Sequence, residues 1–356
     1  MKNVLAQLAF LLFGVAIATV GTPTAKEYRV LPPVTKGNLS IFPIVGGPDY
    51  ATAQLLTLDE GLRTGTVVVT EAGSLQGLIR PGTPHPRQSG AEVNRLVLVN
   101  NSDRPLLLLA GEVVTGGKQD RVIGMDRIVP PKSEPVDLSV FCVEPGRWVA
   151  SSEHFGSMKS QMAQPSVRMP AMAEQNQQSV WNMVASATGG MAKAAPAIHG
   201  TSSYAKVMEN PEVEKKVGAL AADYDGLLRE LRKVGAKGVV VAVNGRITWA
   251  DVFASTDLLE KYWQKLIRSY AAESLTTASS GGQADQKSAQ LFLDQVQGNR
   301  EVTETEPGLF RRSEISGDGY KVFMLTSLVS KPEYTVHLAK MSYNGRPGVY
   351  SIDFRR

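Results

Sequence analysis

The sequence has a single cysteine, Cys142, so no disulfide can form within the chain. After residue 18 it has no apolar run that approaches the roughly 20 residues of a transmembrane helix. Its 38 lysine and arginine residues only slightly exceed its 34 aspartate and glutamate residues, and they are dispersed. This excludes the clustered basic surface that is typical of nucleic-acid-binding proteins. The motifs C-x-x-C, H-E-x-x-H and G-x-S-x-G are also absent, so no such motif assigns a metal ligand or a catalytic nucleophile. Any cofactor and the oligomeric state stay open.

The amino terminus has the pattern of a secretory signal. Lys2 precedes an apolar run over residues 4–18 that only Gln7 interrupts, and the run ends in the tripeptide Ala16-Ile17-Ala18. Small residues in that arrangement form an A-x-A cleavage site. We therefore predict a signal peptide over residues 1–18 and export to the periplasm or the extracellular space. An uncleaved membrane anchor is the alternative. No later segment predicts a membrane span.

The distribution of turn and apolar residues predicts an α+β fold. Short alternating runs separated by Gly, Pro, Asn and Asp fill residues 28–149, which is typical of antiparallel strands. Amphipathic helices follow, and β patterns return at Tyr320–Ser327, Tyr334–Met341 and Gly348–Phe354. Strands at both ends with helices between them indicate α+β rather than alternating α/β. We expect a single domain over residues 28–356, with an internal boundary near 151–210 as the alternative.

Local signals define the central helices and turns. Asn210-Pro211 is a helix start, because a capping residue precedes Pro at the first helical position, and helical spacing continues to Lys233. Asn244-Gly245 tolerates the positive φ of a tight turn and predicts a hairpin between two apolar runs. Further helices are predicted over Glu174–Ala187 and Leu258–Ala272. Residues 276–287 have the composition of a linker.

The segment from Gly111 to Trp148 has the most polar residues in an otherwise apolar β pattern. Gly116-Gly117 between two apolar runs predicts a two-residue hairpin turn. The register would pair Thr115 with Lys118, Val114 with Gln119, and Glu112 with Arg121. Because side chains alternate along a strand, Glu112, Val114, Gln119 and Arg121 would share one face.

Further polar residues follow on the next predicted strand. Cys142 and Glu144 would share a face there, and Arg147-Trp148 follow a Pro-Gly turn. Two carboxylates, two guanidinium groups and an amide would then converge near one end of a sheet. Arginine binds phosphate and carboxylate groups in a bidentate manner, and a glutamate can act as a general base. We therefore predict a site for a small anionic ligand, with Lys118, Gln119, Arg121, Arg147 and Trp148 binding it and Glu112 or Glu144 orienting it or acting as base.

Two stretches, GEVVTGGKQDRV and FCVEPGRW, resemble the signature of a bacterial family, the ARG and rhodanese-phosphatase-superfamily-associated protein domain. The later stretch VVVAVNGRITWADVF and the tripeptide Val336-His337-Leu338 resemble the rest of that domain. The resemblance implies an α+β fold. The association of the family with ADP-ribosylglycohydrolases also implies a link to nucleotide-derived or ADP-ribose-type ligands, but no particular reaction.

Other interpretations stay open at this stage. Cys142 with His337 would form a nucleophile and base, although a cysteine in an apolar strand is more often a buried, inert thiol. Glu112 and Glu144 would suit the acid and base of a glycosidase. The facing charges would also suit a non-enzymatic envelope protein, in which a Glu112–Arg121 pair only stabilises the hairpin. Seven of the eleven methionines lie between Met158 and Met208, and thioether sulfur suits copper(I).

Overall fold

The computed structural model describes residues 27–72, 95–146, 151–152, 154–196, 201–277, 282–306, 308–329 and 331–343. The predicted signal peptide, the predicted turn at Asn344-Gly345 and the predicted strand Gly348–Phe354 lie outside these residues. In the ranges that are described, no helix is both long enough and apolar enough to cross a membrane.

The elements form a block of strands, a block of helices and a mixed carboxyl-terminal part, so the α+β prediction is confirmed. The strands are β1 (Tyr28–Val30), β2 (Val34–Lys36), β3 (Leu39–Gly46), β4 (Leu56–Thr57), β5 (Val67–Glu71), β6 (Leu96–Asn100), β7 (Leu106–Leu108), β8 (Glu112–Thr115), β9 (Arg121–Ile123), β10 (Arg127–Val129), β11 (Val136–Leu138), β12 (Val140–Cys142), β13 (Gly156–Met162), β14 (Gly238–Val243), β15 (Arg246–Phe253), β16 (Asn299–Glu306), β17 (Phe310–Gly317), β18 (Tyr320–Ser327) and β19 (Tyr334–Ser342). The α-helices are α1 (Leu58–Arg63), α2 (Pro165–Met169), α3 (Gln177–Ala194), α4 (Tyr204–Met208), α5 (Pro211–Ala222), α6 (Asp225–Lys233), α7 (Thr256–Thr276) and α8 (Gln286–Asp294), and a π-helical turn covers Pro170–Glu174.

A large antiparallel sheet joins the two ends of the chain. Its strand order is β1-β3-β14-β15-β19-β18-β17-β16, with β2 added to β3. Both faces of the sheet are covered at β14, which explains why this strand is apolar at consecutive positions rather than at alternate ones. Val239 and Val241 belong to the main core on one face, whereas Val240 and Ala242 belong to a second core on the other.

One helix lies on each face of this sheet. Helix α7 packs in the main core through residues such as Trp263, Leu266 and Tyr270, and Ser255 caps its first turn by accepting from the Leu258 N–H at 3.1 Å. Helix α8 covers the second core with Ala289, Phe292 and Leu293.

Three smaller sheets form the amino-terminal half. Their orders are β10-β7-β4, β11-β6-β5 and β12-β9-β8-β13, and all their pairs are antiparallel except β4 with β7. Leucine and valine side chains from all three sheets pack into a third core. The loop between β9 and β10 leaves this part and meets the large sheet, and this contact positions the site described below.

Several local predictions are confirmed, and others are wrong for identifiable reasons. Asn244 and Gly245 have φ of +53° and +73° and connect β14 to β15, as predicted. The single helix predicted after Asn210 is two helices, because the chain leaves helical geometry at Tyr224, whose hydroxyl donates to the Leu39 carbonyl at 2.7 Å. The stretch predicted as a linker ends with the start of α8, which Asp285 caps through the Ser288 N–H.

Adjacent residues of α8 provide a test of this packing. Phe292 is buried in the second core, and the Lys340 ammonium lies 4.6 Å from the centre of its ring. We expect Phe292→Ala to lower the free energy of unfolding by about 3–5 kcal/mol. Leu291 is 55% exposed, so Leu291→Ala should change it by less than about 0.5 kcal/mol. Chemical denaturation of both variants measures the difference, and equal effects would contradict the position of α8.

Candidate functional site

A network of buried charges lies between the large sheet, α2 and α7. At its centre is Asp251 of β15, which is fully buried. The guanidinium of Arg168 donates to both Asp251 carboxylate oxygens at 3.1 Å, and the Tyr270 hydroxyl donates to one of them. Arg168 also lies over the Trp249 ring, 4.4 Å from its centre. Burial alone raises the pKa of Asp251, but Arg168 and His337 outweigh that effect and hold it well below its usual value.

His337 of β19 bridges two carboxylates. Its Nδ1 lies 2.6 Å from Asp126 Oδ2, and its Nε2 lies 3.1 Å from Asp251 Oδ1. Burial favours the neutral ring, but the two carboxylates outweigh it and raise the pKa of His337 to about 9. The ring is therefore a doubly held imidazolium at neutral pH. Because both nitrogens are engaged, neither is presented to a substrate in this arrangement.

The network fixes the position of Asp126 in the loop between β9 and β10. One carboxylate oxygen accepts from the Ala110 N–H at 2.7 Å, and the other faces His337. Two carboxylates and two cations, Arg168 and His337, balance each other in this interior. That balance matters because an unpaired buried charge would be strongly destabilising.

Gly111 allows the arginine to reach this position. Its φ is +96°, and a Cβ atom there would lie 2.5 Å from the Arg168 side chain. A larger residue would meet both the strained backbone and the buried arginine. The glycine that opens the stretch GEVVTGG is thus required by the charge network.

Two clefts meet beside Asp126, and both are lined by Met125, Asp126 and Arg312. We name the first the acidic cleft. Its volume is about 50 Å³, and its other walls are Gly124, Met172, Glu301, Ser313, Glu314, Phe323 and Met324. We name the second the apolar cleft. Its volume is about 130 Å³, and its other walls are Leu108, Ile123, Arg127, Asp137, Leu138, Ser139 and Phe310.

Arg312 of β17 is the cation that the two clefts share. Within the described residues it makes no hydrogen bond and no ion pair. Burial lowers the pKa of its guanidinium, Asp126 and Glu314 oppose that shift, and the positive charge of Arg127 adds to it. Arg127 donates to the Asp137 carbonyl at 2.8 Å. Arg127 and Arg312 both line the apolar cleft, and the charge of Arg312 is only partly compensated.

Glu112 of the predicted site lies elsewhere. It is fully buried, and its carboxylate accepts from the Leu109 N–H at 2.9 Å and contacts the Lys265 ammonium of α7. Lys265 also lies 2.9 Å from Asp59. Burial favours the neutral amine, but the two carboxylates outweigh it and raise the pKa of Lys265. Glu112 thus connects β8 to α7 through a charge pair.

The predicted two-residue turn is wrong, and the register differs. Val114 rather than Glu112 lies opposite Arg121. The connection covers residues 116–120 because carboxylates accept its backbone N–H groups: Gly116 donates to Asp120 at 3.0 Å, and Lys118 donates to Glu71 at 2.8 Å. These internal carboxylates occupy donors that a bound anion would otherwise use.

The other described residues of the predicted site lie near the connection between β8 and β9. Gln119, Arg121 and Glu144 are all buried, and the Gln119 amide donates to the Glu144 carbonyl at 3.2 Å. Lys118 is partly exposed. Cys142 is buried, and burial raises the pKa of its thiol while Arg121 opposes that shift, so the site does not activate it as a nucleophile. Arg147 and Trp148 lie outside the described residues.

The structure thus separates the described residues of the predicted site into three places, with Glu112 against α7, His337 in the charge network and the rest near Glu144. Sequence reasoning missed Asp126, Arg168, Asp251 and Arg312. Asp251 had a usable signal, because it is a charged residue on the same strand face as Trp249 and Phe253 in an apolar run. Arg312 had no such signal, because its neighbours in the sequence are like those of any half-exposed strand.

Comparisons with known proteins identify one relationship. A sequence model of the ARG and rhodanese-phosphatase-superfamily-associated protein domain (ARPP-1) matches residues 27–341. No curated protein and no solved structure matches the chain. Among the described residues, no group of three or more His, Cys, Asp or Glu side chains has an arrangement that could hold a metal ion.

The bridging imidazolium predicts a pH dependence of stability. Its pKa of about 9 in the fold exceeds the 6.5 of a free histidine, so its stabilisation is complete below pH 6.5 and is lost as the pH rises through 9. We expect the free energy of unfolding lost in His337→Gln to be about 3 kcal/mol larger at pH 6 than at pH 10. Urea denaturation of both proteins at each pH measures this, and the subtraction removes groups common to both, such as Lys340. A loss that does not change with pH would contradict the bridge.

Proposed function

Because the chain belongs to the ARG and rhodanese-phosphatase-superfamily-associated protein domain family, whose name assigns no reaction, we propose its function from its own geometry. The protein binds a small anionic molecule through Arg312, at the junction of the acidic and apolar clefts. The observation that carries this proposal is the partly buried Arg312 guanidinium, which has no ion pair among the described residues. A bound carboxylate or phosphate would supply the missing charge.

The surroundings of Arg312 support an anion rather than water alone. Arg127 lines the same apolar cleft, and its charge makes the uncompensated Arg312 less favourable still. An anion between the two groups would relieve that repulsion. Guanidinium groups also present paired donors that match carboxylate and phosphate oxygens. Asp126 remains in place because the Ala110 N–H and His337 hold it, so it does not swing over to neutralise Arg312.

The size of the clefts narrows the class of ligand. The apolar cleft has a volume of about 130 Å³. Pockets for drug-sized ligands are usually about 300–1,000 Å³. The geometry therefore favours a small carboxylate or phosphate, and an ADP-ribose-type ligand would place only one end here.

The other interpretations receive less support. Of the seven methionines between Met158 and Met208, six are buried in the main core and Met183 packs against it, where flexible thioethers fill irregular gaps. No observation favours copper over that role. A non-enzymatic envelope protein would need no partly buried, unpaired arginine, so Arg312 is the residue that separates the two hypotheses.

We also propose that the chain is exported, on the basis of its first 18 residues. Expression of the full chain in a bacterium, followed by fractionation and mass spectrometry, tests this. We expect a mature protein that begins after Ala18 in the periplasmic or extracellular fraction. Full-length protein in the cytosol would contradict export, and full-length protein in the membrane fraction would support an uncleaved anchor.

Neighbouring arginines of β17 provide a matched test of the binding function. We expect Arg312→Gln to weaken anion binding about 10- to 100-fold, because a charge-assisted hydrogen bond contributes about 1.5–3 kcal/mol. Calorimetric titration with inorganic phosphate, short carboxylates, sugar phosphates and ADP-ribose measures the affinity. The stability of the empty protein should stay equal or rise, since the variant removes a charge with no ion pair.

The control is Arg311→Gln. Arg311 lies on the opposite face of β17 and pairs with Glu333 at 3.2 Å. This variant should lose up to about 1 kcal/mol of stability and keep its affinity for the anion. The proposal fails if no anion in the panel binds the wild-type protein, or if the two variants bind equally well.

A further inference from the structure

The two clefts on either side of Arg312 differ in chemistry. The acidic cleft is lined by Glu301 of β16 and by Ser313 and Glu314 of β17. The apolar cleft presents Leu108, Leu138 and Phe310 beyond the guanidinium. A ligand anchored at Arg312 therefore meets hydrogen-bond acceptors on one side and hydrocarbon on the other.

The register of β16 and β17 brings two carboxylates together in the acidic cleft. Glu301 lies directly opposite Glu314, and like charges in that position destabilise a strand pair. Lys321 pairs with Glu314 and also donates to the Ala173 carbonyl at 3.2 Å. Within the described part of the chain, Glu301 has no ion pair.

Solvent in the acidic cleft determines how strongly these carboxylates repel each other. Glu301 is exposed, so in the open cleft solvent screens its repulsion from Glu314. A ligand bound at Arg312 removes part of that water and brings its own negative charge close to Glu301, which has no lysine partner such as the one that Lys321 provides for Glu314. A purely anionic ligand would then be repelled from the side of the acidic cleft. A positive group there would remove the repulsion, and at about 50 Å³ this cleft is large enough for an ammonium group, which is close to water in size.

Resting on the anion-binding function above, we propose that the ligand is a zwitterion, an α-amino acid with a small apolar side chain. Its carboxylate binds Arg312, and its ammonium group faces Glu301, the glutamate of the acidic cleft that Lys321 does not pair with. Its side chain occupies the apolar cleft against Leu138 and Phe310. The three substituents of one tetrahedral carbon match three chemically different groups: the Arg312 guanidinium, the acidic cleft and the apolar cleft.

Calorimetric titration of the wild-type protein with leucine and its analogues tests the proposal. N-Acetyl-leucine keeps the carboxylate and side chain but has no positive charge, isopentylamine lacks the carboxylate, and glycine lacks the side chain. We expect leucine to bind at least about tenfold more tightly than each of them, since one charge or one buried alkyl group contributes on the order of a factor of ten.

Glu301→Gln gives the sharper readout, because the substitution is on an exposed side chain and should not affect folding. It should weaken leucine about tenfold and leave N-acetyl-leucine unchanged or tighter, since the glutamate attracts the first ligand and repels the second. The matched control is Glu230→Gln on α6, an exposed glutamate that lines neither cleft, and it should alter neither affinity.

The outcomes separate this inference from the proposed function. If N-acetyl-leucine binds as tightly as leucine, or if phosphate binds through Arg312 while leucine does not, the zwitterion is wrong and anion binding stands. If no anion and no amino acid binds, both proposals fail. Tighter binding of leucine that depends on both Glu301 and Arg312 supports both.

Discussion

The bridge from His337 to Asp126 and Asp251 is the interaction on which the described structure depends. It joins the loop after β9, which belongs to the smaller amino-terminal sheets, to the two central strands of the large sheet. Apolar packing alone is not directional, so it would let these two parts slide against each other. An ionic hydrogen bond on each side of the imidazole ring, 2.6 Å to Asp126 and 3.1 Å to Asp251, fixes their relative position, and Arg168 compensates the second negative charge.

This balance in the interior explains why the neighbouring cleft is chemically distinctive. Asp126 is fully engaged by the bridge and by the Ala110 N–H, so it is close to Arg312 without forming an ion pair with it. The shifted pKa values of Asp251 and His337 belong to groups that hold the fold together. The proposed function rests instead on an arginine whose charge the fold leaves only partly compensated.

The parts of the structure that could be predicted from sequence are those that short-range physics determines. Asn244-Gly245 adopts positive φ, and Asn210 caps a helix, because each needs only its neighbours. The turn at Gly116-Gly117 could not be predicted in the same way. Its backbone donors bind Asp120 within the loop and Glu71, which is 47 residues from Lys118 in the chain. The cleft beside Arg312 could not be predicted from local sequence either, because only tertiary packing brings Asp126 and Arg312 to its walls.

The polar residues of the stretch from Gly111 to Glu144 have structural roles. That stretch is unusually polar for a buried β region, and the sequence alone associates such polarity with a ligand. In the structure, Gly111 makes room for Arg168, Glu112 binds Lys265, and Asp120 closes a loop. Each of these groups has an internal partner, so binding a ligand would require breaking that contact first. Arg312 lies outside the stretch and has no such cost. An anion that enters the cleft is therefore expected to bind most favourably at Arg312, which the motif does not include.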